Sequence, residues 1–400
     1  MGCQDRDNIA ALSLVLLLVA CAPHRAGPDL GDFVASGTFG ERVLVLALSP
    51  GVTATLVAPA HLDARERMDL IIYALPNGNS TAQTIGRKLA PGVDWHFDIQ
   101  HIGAQTRALR TTGYPQAIVA YLEADSKSWP AWRRAQGYER ANGRIVEIVD
   151  ELRAEIGNPP NLVVTLAGHS GGGSFMFGFI EGQESLPSWL ERIVFLDANY
   201  NFENQHGDKL VEWLMRDQNN QLISLAYDDR EIMLDGKKVV SDSGGTWRAS
   251  ERMISYLGDR FELSVDQLAD FKRYRDRQVE LLLHPNPENK ILHTAMIGEM
   301  NGYMHAMMVR RPGYENEDGI LKPARVYEKW IESDVTLPSA TPPYRRASKR
   351  RNTTMGAPDS RQRGPVSPGS PGSRSSFGTL PNAQLTLRTS PRIARLLSDT

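Results

Sequence analysis

The sequence contains 400 residues, of which 41% are hydrophobic and 23% are charged. This composition is typical of a globular protein, and it excludes a fully disordered chain, a coiled coil and a polytopic membrane protein. The net charge of −2 is unevenly distributed. Residues 341–400 contain eleven Lys or Arg and two Asp or Glu, so this segment carries +9 and the rest of the chain carries −11. The acidic body and the basic tail are therefore physically different parts of the chain.

The N-terminal segment has the features of a signal peptide. Residues 10–20 form an apolar run of signal-peptide length, which is too short to span a bilayer comfortably. The run ends in Leu18-Val19-Ala20-Cys21, which resembles the lipobox of bacterial lipoproteins. The resemblance implies cleavage before Cys21, acylation of its thiol, and a lipid-anchored location at the bacterial cell envelope, on the outer membrane or the periplasmic face. Because residues 1–8 lack the usual positive charge, an ordinary signal peptide on a secreted protein is the alternative.

The remaining terminal features limit the chemistry of the chain. Cys3 and Cys21 are the two cysteines, so a mature chain that starts at a lipidated Cys21 has no disulfide, cysteine metal site or cysteine nucleophile. Residues 22–39 are predicted to be a linker. From residue 337 to residue 400, Pro, Ser, Gly and Arg dominate, and such a stretch cannot bury enough apolar area to order itself. The basic cluster at 345–351 has no interleaved aromatic residues, so nucleic acid is not an expected partner.

Between residues 40 and 336, short apolar runs alternate with amphipathic segments, which predicts an α/β fold with a mostly parallel central sheet flanked by helices. Two segments need separate mention: residues 230–289 are predicted to be a helical insertion or cap, and Ser264 and Gln267 have the spacing of a helix-capping box. The predicted strands are 43–48, 52–57, 70–75, 97–102 (the weakest), 162–167, 193–196, 222–227 and 291–297; the predicted helices include 138–156, 174–182 and 207–216.

The turn after the strand at 162–167 carries the chemistry. It reads Gly168-His169-Ser170-Gly171-Gly172 and leads into a predicted helix, so it is a Gly-x-Ser-x-Gly motif in a strand–turn–helix context. Glycines let strand and helix approach each other, and the turn lifts the Ser170 hydroxyl above the sheet edge. The lysine and spacing of a phosphate-binding P-loop are absent. The pattern therefore predicts a nucleophilic serine.

With this turn, the chain resembles the α/β-hydrolase superfamily over residues 40–332. The resemblance implies a catalytic triad in the order Ser, acid, His, with each residue on a loop after a successive strand. Three histidines lie near the predicted last strand, namely His284, His293 and His305. His293 lies inside that strand and His284 precedes it. The resemblance therefore favours His305, which follows the strand, as the general base.

The acid and the oxyanion donors are also implied by the resemblance. Asp228 and Asp229 end the strand at 222–227, the most frequent position of the acid, and the two are not separated by the sequence. Asp197, at the end of the preceding strand, is the alternative. The backbone N–H of Gly171 is one expected oxyanion donor. A second is expected from the loop that holds Asn77, Gly78 and Asn79, where Asn-Gly replaces the usual His-Gly of the superfamily.

These residues predict a serine hydrolase that cleaves a carboxylic ester, or a related acyl substrate, through an acyl-enzyme. A catalytically inactive, surface-tethered binding protein and an acyltransferase with the same triad are the alternatives. No cofactor is expected, and no metal is expected because the sequence has no His-Glu-x-x-His. The expected partners are a small-molecule or lipid-like acyl substrate and a membrane reached through the lipid anchor.

Overall fold

The computed structural model describes residues 31–63, 65–311, 314 and 322–342. These residues belong to one compact unit, residues 1–345. The predicted signal peptide with Cys21 and residues 343–400 of the predicted tail lie outside the described residues. No helix within the described part is long and apolar enough to cross a membrane.

An eleven-stranded sheet forms the centre of the described structure, in the order β1-β2-β3-β5-β4-β6-β7-β8-β13-β12-β11. Its strands are β1 (Val34–Ser36), β2 (Glu41–Leu48), β3 (Val52–Ala58), β4 (Met68–Ala74), β5 (Ala117–Ala124), β6 (Leu162–His169), β7 (Leu190–Leu196), β8 (Gln221–Tyr227), β11 (Ser264–Gln267), β12 (Lys272–Arg275) and β13 (Val279–His284). Two short strands, β9 (Met233–Leu234) and β10 (Lys237–Lys238), pair with each other in a separate sheet. From β5 to β13 in this order, each strand is parallel to the next one. Antiparallel strands extend the sheet on both sides.

Helices cover both faces of the sheet. They are α1 (Thr81–Ile85), α2 (Ile102–Arg110), α3 (Trp129–Gln136), α4 (Tyr138–Glu155), α5 (Gly173–Gly182), α6 (Asn204–Arg216), α7 (Thr246–Gly258) and α8 (Gly302–Met308). Residues of α3 to α7 pack into one hydrophobic core, while residues of α2 and α8 pack into a second one. Because both faces are covered, the central strands are buried throughout, as in β4, where all seven residues are buried.

The sheet order, the parallel centre and the two helical layers confirm the predicted α/β-hydrolase fold. The predicted helix at 138–156 is also confirmed, since α4 buries Ala141, Ile145, Ile148, Val149 and Leu152 on one face.

Three predicted elements are wrong. Residues 291–297 are turns rather than the last strand, and β13 closes the parallel part of the sheet. The apolar run was mistaken for a strand because a short apolar run does not show whether its backbone is extended. Its residues Leu292, Met296 and Ile297 are buried, but they anchor a loop. Residues 97–102 form part of a 3-10 turn and the start of α2. Ser264 starts a strand rather than a helix, because residues 264–267 pair with β12.

The segment boundaries differ as well. Residues 230–289, predicted as a helical insertion, contain α7 but also β11, β12 and β13, which belong to the main sheet. β1 lies in the predicted linker 22–39. In the predicted tail, the described residues include Thr341, which exchanges backbone hydrogen bonds with β2.

Candidate active site

Ser170 lies on the sharp turn that the motif predicted. β6 ends at His169, residues 170–172 form a 3-10 turn, and α5 begins at Gly173. Ser170 has a φ of 52°, a left-handed conformation that is unfavourable for serine and is typical of a functional site. A Cβ at Gly173 would lie 1.8 Å from the carbonyl oxygen of Ala198, so only glycine fits there. Ser170 stays partly exposed, while the residues on either side of the turn are buried.

His293 lies against this turn, in the loop that follows β13. The Nε2 atom of His169 is 3.0 Å from the carbonyl oxygen of His293, and the two rings are 4.5 Å apart. Burial holds the pKa of His169 well below its usual value, so His169 is a neutral hydrogen-bonding support. The side chain of His293 itself is 25% exposed. The structure thus places a partly accessible imidazole beside the residue that precedes Ser170.

Asp197 binds this imidazole from the end of β7. Its backbone has a φ of 46°, its side chain is 1% exposed, and its Oδ2 atom is hydrogen-bonded to Nδ1 of His293. A carboxylate on Nδ1 holds the imidazole in one orientation and tautomer, which leaves Nε2 to accept a proton. His293 is thus bound to Asp197 on one side and lies against His169, the residue before Ser170, on the other.

His305, the predicted base, lies away from the Ser170 turn, and His293 is the histidine that contacts this turn. His305 is in α8 and is buried, with Nε2 at 2.9 Å from Oε1 of Glu280 and Nδ1 at 3.1 Å from the hydroxyl of Tyr314. Glu280 belongs to the amino-terminal part of β13, whereas Ser170 follows the carboxyl end of β6. Both ring nitrogens of His305 are thus used in a structural contact. His284, the other candidate, uses its Nδ1 to accept the backbone N–H of Asn286.

Of the predicted acids, Asp197, the alternative, is the one bound to His293, whereas Asp228 and Asp229 have other partners. Asp228 forms an ion pair with Arg230 at 2.7 Å; although burial opposes it, this contact lowers the pKa of Asp228. Asp229 is buried and accepts the backbone N–H of Thr246 at 2.9 Å. Burial, together with the nearby charge of Asp197, raises the pKa of Asp229 to about 6. Neither carboxylate binds a histidine of the site.

Two site residues were not found from the sequence. Thr246 donates its hydroxyl to Oδ1 of Asp197 from the start of α7. Tyr200 lies three residues after Asp197 and close to the Ser170 side chain. Burial raises the pKa of Tyr200 well above its usual value, and the negative charge of Asp197 adds to this effect. The phenol therefore stays protonated beside the nucleophile. Its position in the loop after β7 was a usable signal, whereas Thr246 is 49 residues from Asp197.

Among the predicted oxyanion residues, Asn77 packs against Gly171. A Cβ at Gly171 would lie 2.1 Å from Oδ1 of Asn77, so the Asn77 amide covers the backbone of Gly171. The backbone N–H of Gly78 donates to the carbonyl of Lys127 at 2.8 Å and is therefore not directed at the site. Asn79, in the same loop, is buried. The structure thus brings Gly171 and Asn77 together, next to Ser170.

Among the described residues, no group of three or more His, Cys, Asp or Glu side chains has the arrangement of a metal site.

No protein-family model and no curated protein matches this sequence. Solved structures that resemble it include a feruloyl esterase module from Clostridium thermocellum, which is 10% identical over 71% of this chain and 97% of that chain, with a TM-score of 0.39. A thermostable esterase is 12% identical over 67% of this chain, with a TM-score of 0.37, and this chain spans 60% of its length. An esterase from an Arctic intertidal metagenomic library is 14% identical over 70% of this chain and 97% of that chain, with a TM-score of 0.36.

Proposed function

We propose that this chain, which has the α/β-hydrolase fold, is a serine hydrolase that cleaves a carboxylic ester through an acyl-enzyme intermediate. The observation that carries the proposal is the contact of His293 with both Asp197 and His169, the residue before the strained Ser170. A buried carboxylate, an accessible imidazole and a lifted serine hydroxyl are the groups that nucleophilic acyl transfer requires.

In this mechanism the Ser170 oxygen attacks the ester carbonyl while Nε2 of His293 takes the hydroxyl proton. Asp197 stabilises the resulting imidazolium through Nδ1. We assign the stabilisation of the negative charge on the carbonyl oxygen to two hydrogen-bond donors, the backbone N–H of Gly171 and the side-chain NH2 of Asn77, which packs against Gly171. The imidazolium then gives its proton to the leaving alcohol. Water, activated by His293, attacks the acyl group and restores Ser170.

An ester is the proposed substrate class because its cleavage needs the fewest catalytic groups. An alkoxide leaves more readily than an amine, so one imidazole is enough for proton delivery. The acyl part is proposed to be small or lipid-like, in keeping with the expected membrane location of a chain acylated at Cys21. That acylation and the cell-envelope location are part of the proposal.

The proposal is tested with a fluorophosphonate probe and nitrophenyl esters of increasing chain length. We expect the wild-type protein to be labelled and to turn over at least one ester. Ser170→Ala should lose both properties with an unchanged Tm, while the control Ser126→Ala, in an exposed turn, should keep both. A folded wild-type protein that is neither labelled nor active, or a Ser170→Ala variant that keeps wild-type turnover, would exclude the proposed mechanism.

A further inference from the structure

Both oxygens of the Asp197 carboxylate have partners, and the two partners come from different parts of the chain. Oδ2 binds Nδ1 of His293, and Oδ1 accepts the hydroxyl of Thr246. A carboxylate that is 1% exposed needs hydrogen bonds to remain charged. The Thr246 hydroxyl also fixes the rotation of the carboxylate, because a bond to Oδ1 leaves Oδ2 directed at the imidazole.

The position of Thr246 is in turn set by Asp229. Thr246 is the first residue of α7, and Gly245, the residue at the N-cap position, has no side chain to cap the helix. Asp229, at the end of β8, accepts the N–H of Thr246 at 2.9 Å in its place. A negative carboxylate at a helix N-terminus is favourable, since it satisfies free N–H groups and the helix dipole. A Cβ at Gly245 would lie 2.5 Å from Oδ1 of Asp229, which shows how closely the carboxylate packs there.

We infer that Thr246 and Asp229 are positioning residues for the catalytic acid: Asp229 caps α7, which holds the Thr246 hydroxyl on Asp197 and thereby aims the carboxylate at His293. The inference rests on the proposed function and deepens it. Asp229 occupies the strand end at which the acid was expected, but it acts on the base through Thr246 and Asp197. Asp197 and Asp229 thus both serve to orient the imidazole from the ends of their strands. Asp197 contacts the imidazole directly, and Asp229 acts on it through Thr246 and Asp197.

The test compares Thr246→Val, which removes the hydroxyl but keeps the shape, with Thr246→Ser, which keeps the hydroxyl. We expect Thr246→Val to lower kcat about tenfold or more with KM within about twofold, because substrate binding does not use this contact. Thr246→Ser should stay within about threefold of the wild-type kcat. In Asp229→Asn the side-chain carbonyl can still accept the Thr246 N–H, so we expect a smaller loss than in Thr246→Val. Asp228→Asn is the matched control, and it should keep wild-type kcat and KM.

A second readout keeps the inference testable when a variant is less stable. The far-downfield proton resonance of Nδ1 of His293 reports its bond to Asp197, and it should shift in Thr246→Val but not in Asp228→Asn. Wild-type kcat and an unshifted resonance in Thr246→Val would overturn the inference, as would an inactive Thr246→Ser that is folded. These outcomes leave the proposed function intact, because that function fails only if the wild-type protein itself is neither labelled nor active.

Discussion

His293 and His305 are the same chemical group held in opposite ways. His293 uses Nδ1 for Asp197 and keeps its side chain 25% exposed, whereas His305 uses both nitrogens and is 1% exposed. A general base must exchange protons with substrate, which requires one accessible nitrogen. A histidine with two buried partners instead satisfies charge inside the protein, here the carboxylate of Glu280.

The two histidines should therefore separate activity from stability. We expect His293→Ala to lower kcat/KM about 10⁴-fold with little change in Tm. His305→Ala should keep most of its activity but lose about 3 kcal/mol of unfolding free energy, because it leaves the carboxylate of Glu280 buried without its partner. Ester kinetics and urea unfolding measure the two effects. The reverse pattern would assign the base to His305.

The Tyr200 hydroxyl is expected to assist the reaction as a donor. Its raised pKa keeps it protonated, and it lies close to the Ser170 side chain. Tyr200→Phe removes a hydrogen-bond donor from beside the reacting atoms, so we expect kcat to fall about tenfold. Labelling of Ser170 by the probe should become slower but remain complete. An unchanged kcat in Tyr200→Phe would show that the Tyr200 hydroxyl does not assist the reaction and that the side chain only packs against the site.

We expect Asp229 to make the folded state less stable as the pH rises, whereas its neighbour Asp228 makes the folded state less stable as the pH falls. Its pKa is raised from 3.8 to about 6, so the folded state holds the proton more tightly than the unfolded state does. The stabilisation is present below pH 3.8 and is lost as the pH rises through about 6. We expect Asp229→Asn to gain in Tm relative to wild type between pH 4 and pH 7.

Asp228→Asn is the control for this pH series. The pKa of Asp228 is lowered, because Arg230 outweighs the effect of burial, so its contribution is present at neutral pH and is lost in acid. Because that loss falls below the unfolded-state pKa of 3.8, the Tm difference between Asp228→Asn and wild type should stay nearly constant from pH 4 to pH 7. Parallel curves for wild type and Asp229→Asn in thermal melts from pH 4 to pH 7 would contradict the raised pKa.

At the level of elements, the turn at Ser170 depends on strand ends that approach it from both sides. The Ala198 carbonyl at Gly173 and the Ala74 carbonyl at Gly172 lie where a side chain would begin. We expect Gly173→Ala to destabilise the fold by about 3 kcal/mol or more, because backbone atoms cannot move aside as a side chain can. Gly143→Ala, in an open position of α4, is the control and should gain about 0.5–1 kcal/mol. Equal effects of the two substitutions in urea unfolding would rule out the close packing.

The secondary-structure elements also determine which parts of the site could be predicted from the sequence. The Ser170 turn is local, because the glycines, the strand and the helix are contiguous, so the motif predicted its geometry. The sequence pointed to His305 instead of His293 because residues 291–297 were taken as the last strand, which placed His293 inside it. The run Val279–His284 carried the strand signal, and with it His293 would have been the histidine after the last strand. The choice of Asp197 depends on which carboxylate meets the imidazole, and no sequence pattern contains that contact.

At the scale of the whole molecule, the chain after the last helix returns to the first strands. Arg107 of α2 binds Glu41 at 2.6 Å and Glu332 at 3.2 Å, and all three side chains are buried. Further along, Thr341 forms two backbone hydrogen bonds of 2.8 Å with β2. Its N–H donates to the carbonyl of Val45, and its carbonyl accepts the N–H of Ala47. The segment predicted as disordered from residue 337 therefore starts with a part that covers an edge of the sheet.

Two shortened chains test where the folded body ends. A chain ending at Arg345 keeps the contacts of Thr341, and we expect it to retain the Tm and the ester turnover of the full chain. A chain ending at Thr336 loses both hydrogen bonds to β2, which are together worth about 2 kcal/mol. Its Tm should fall by several degrees, while kcat stays close to wild type because β2 does not carry a residue of the site. If the chain ending at Arg345 were destabilised as much as the shorter one, residues 346–400 would have to contribute to the stability of the fold, and the predicted disordered tail would be ruled out.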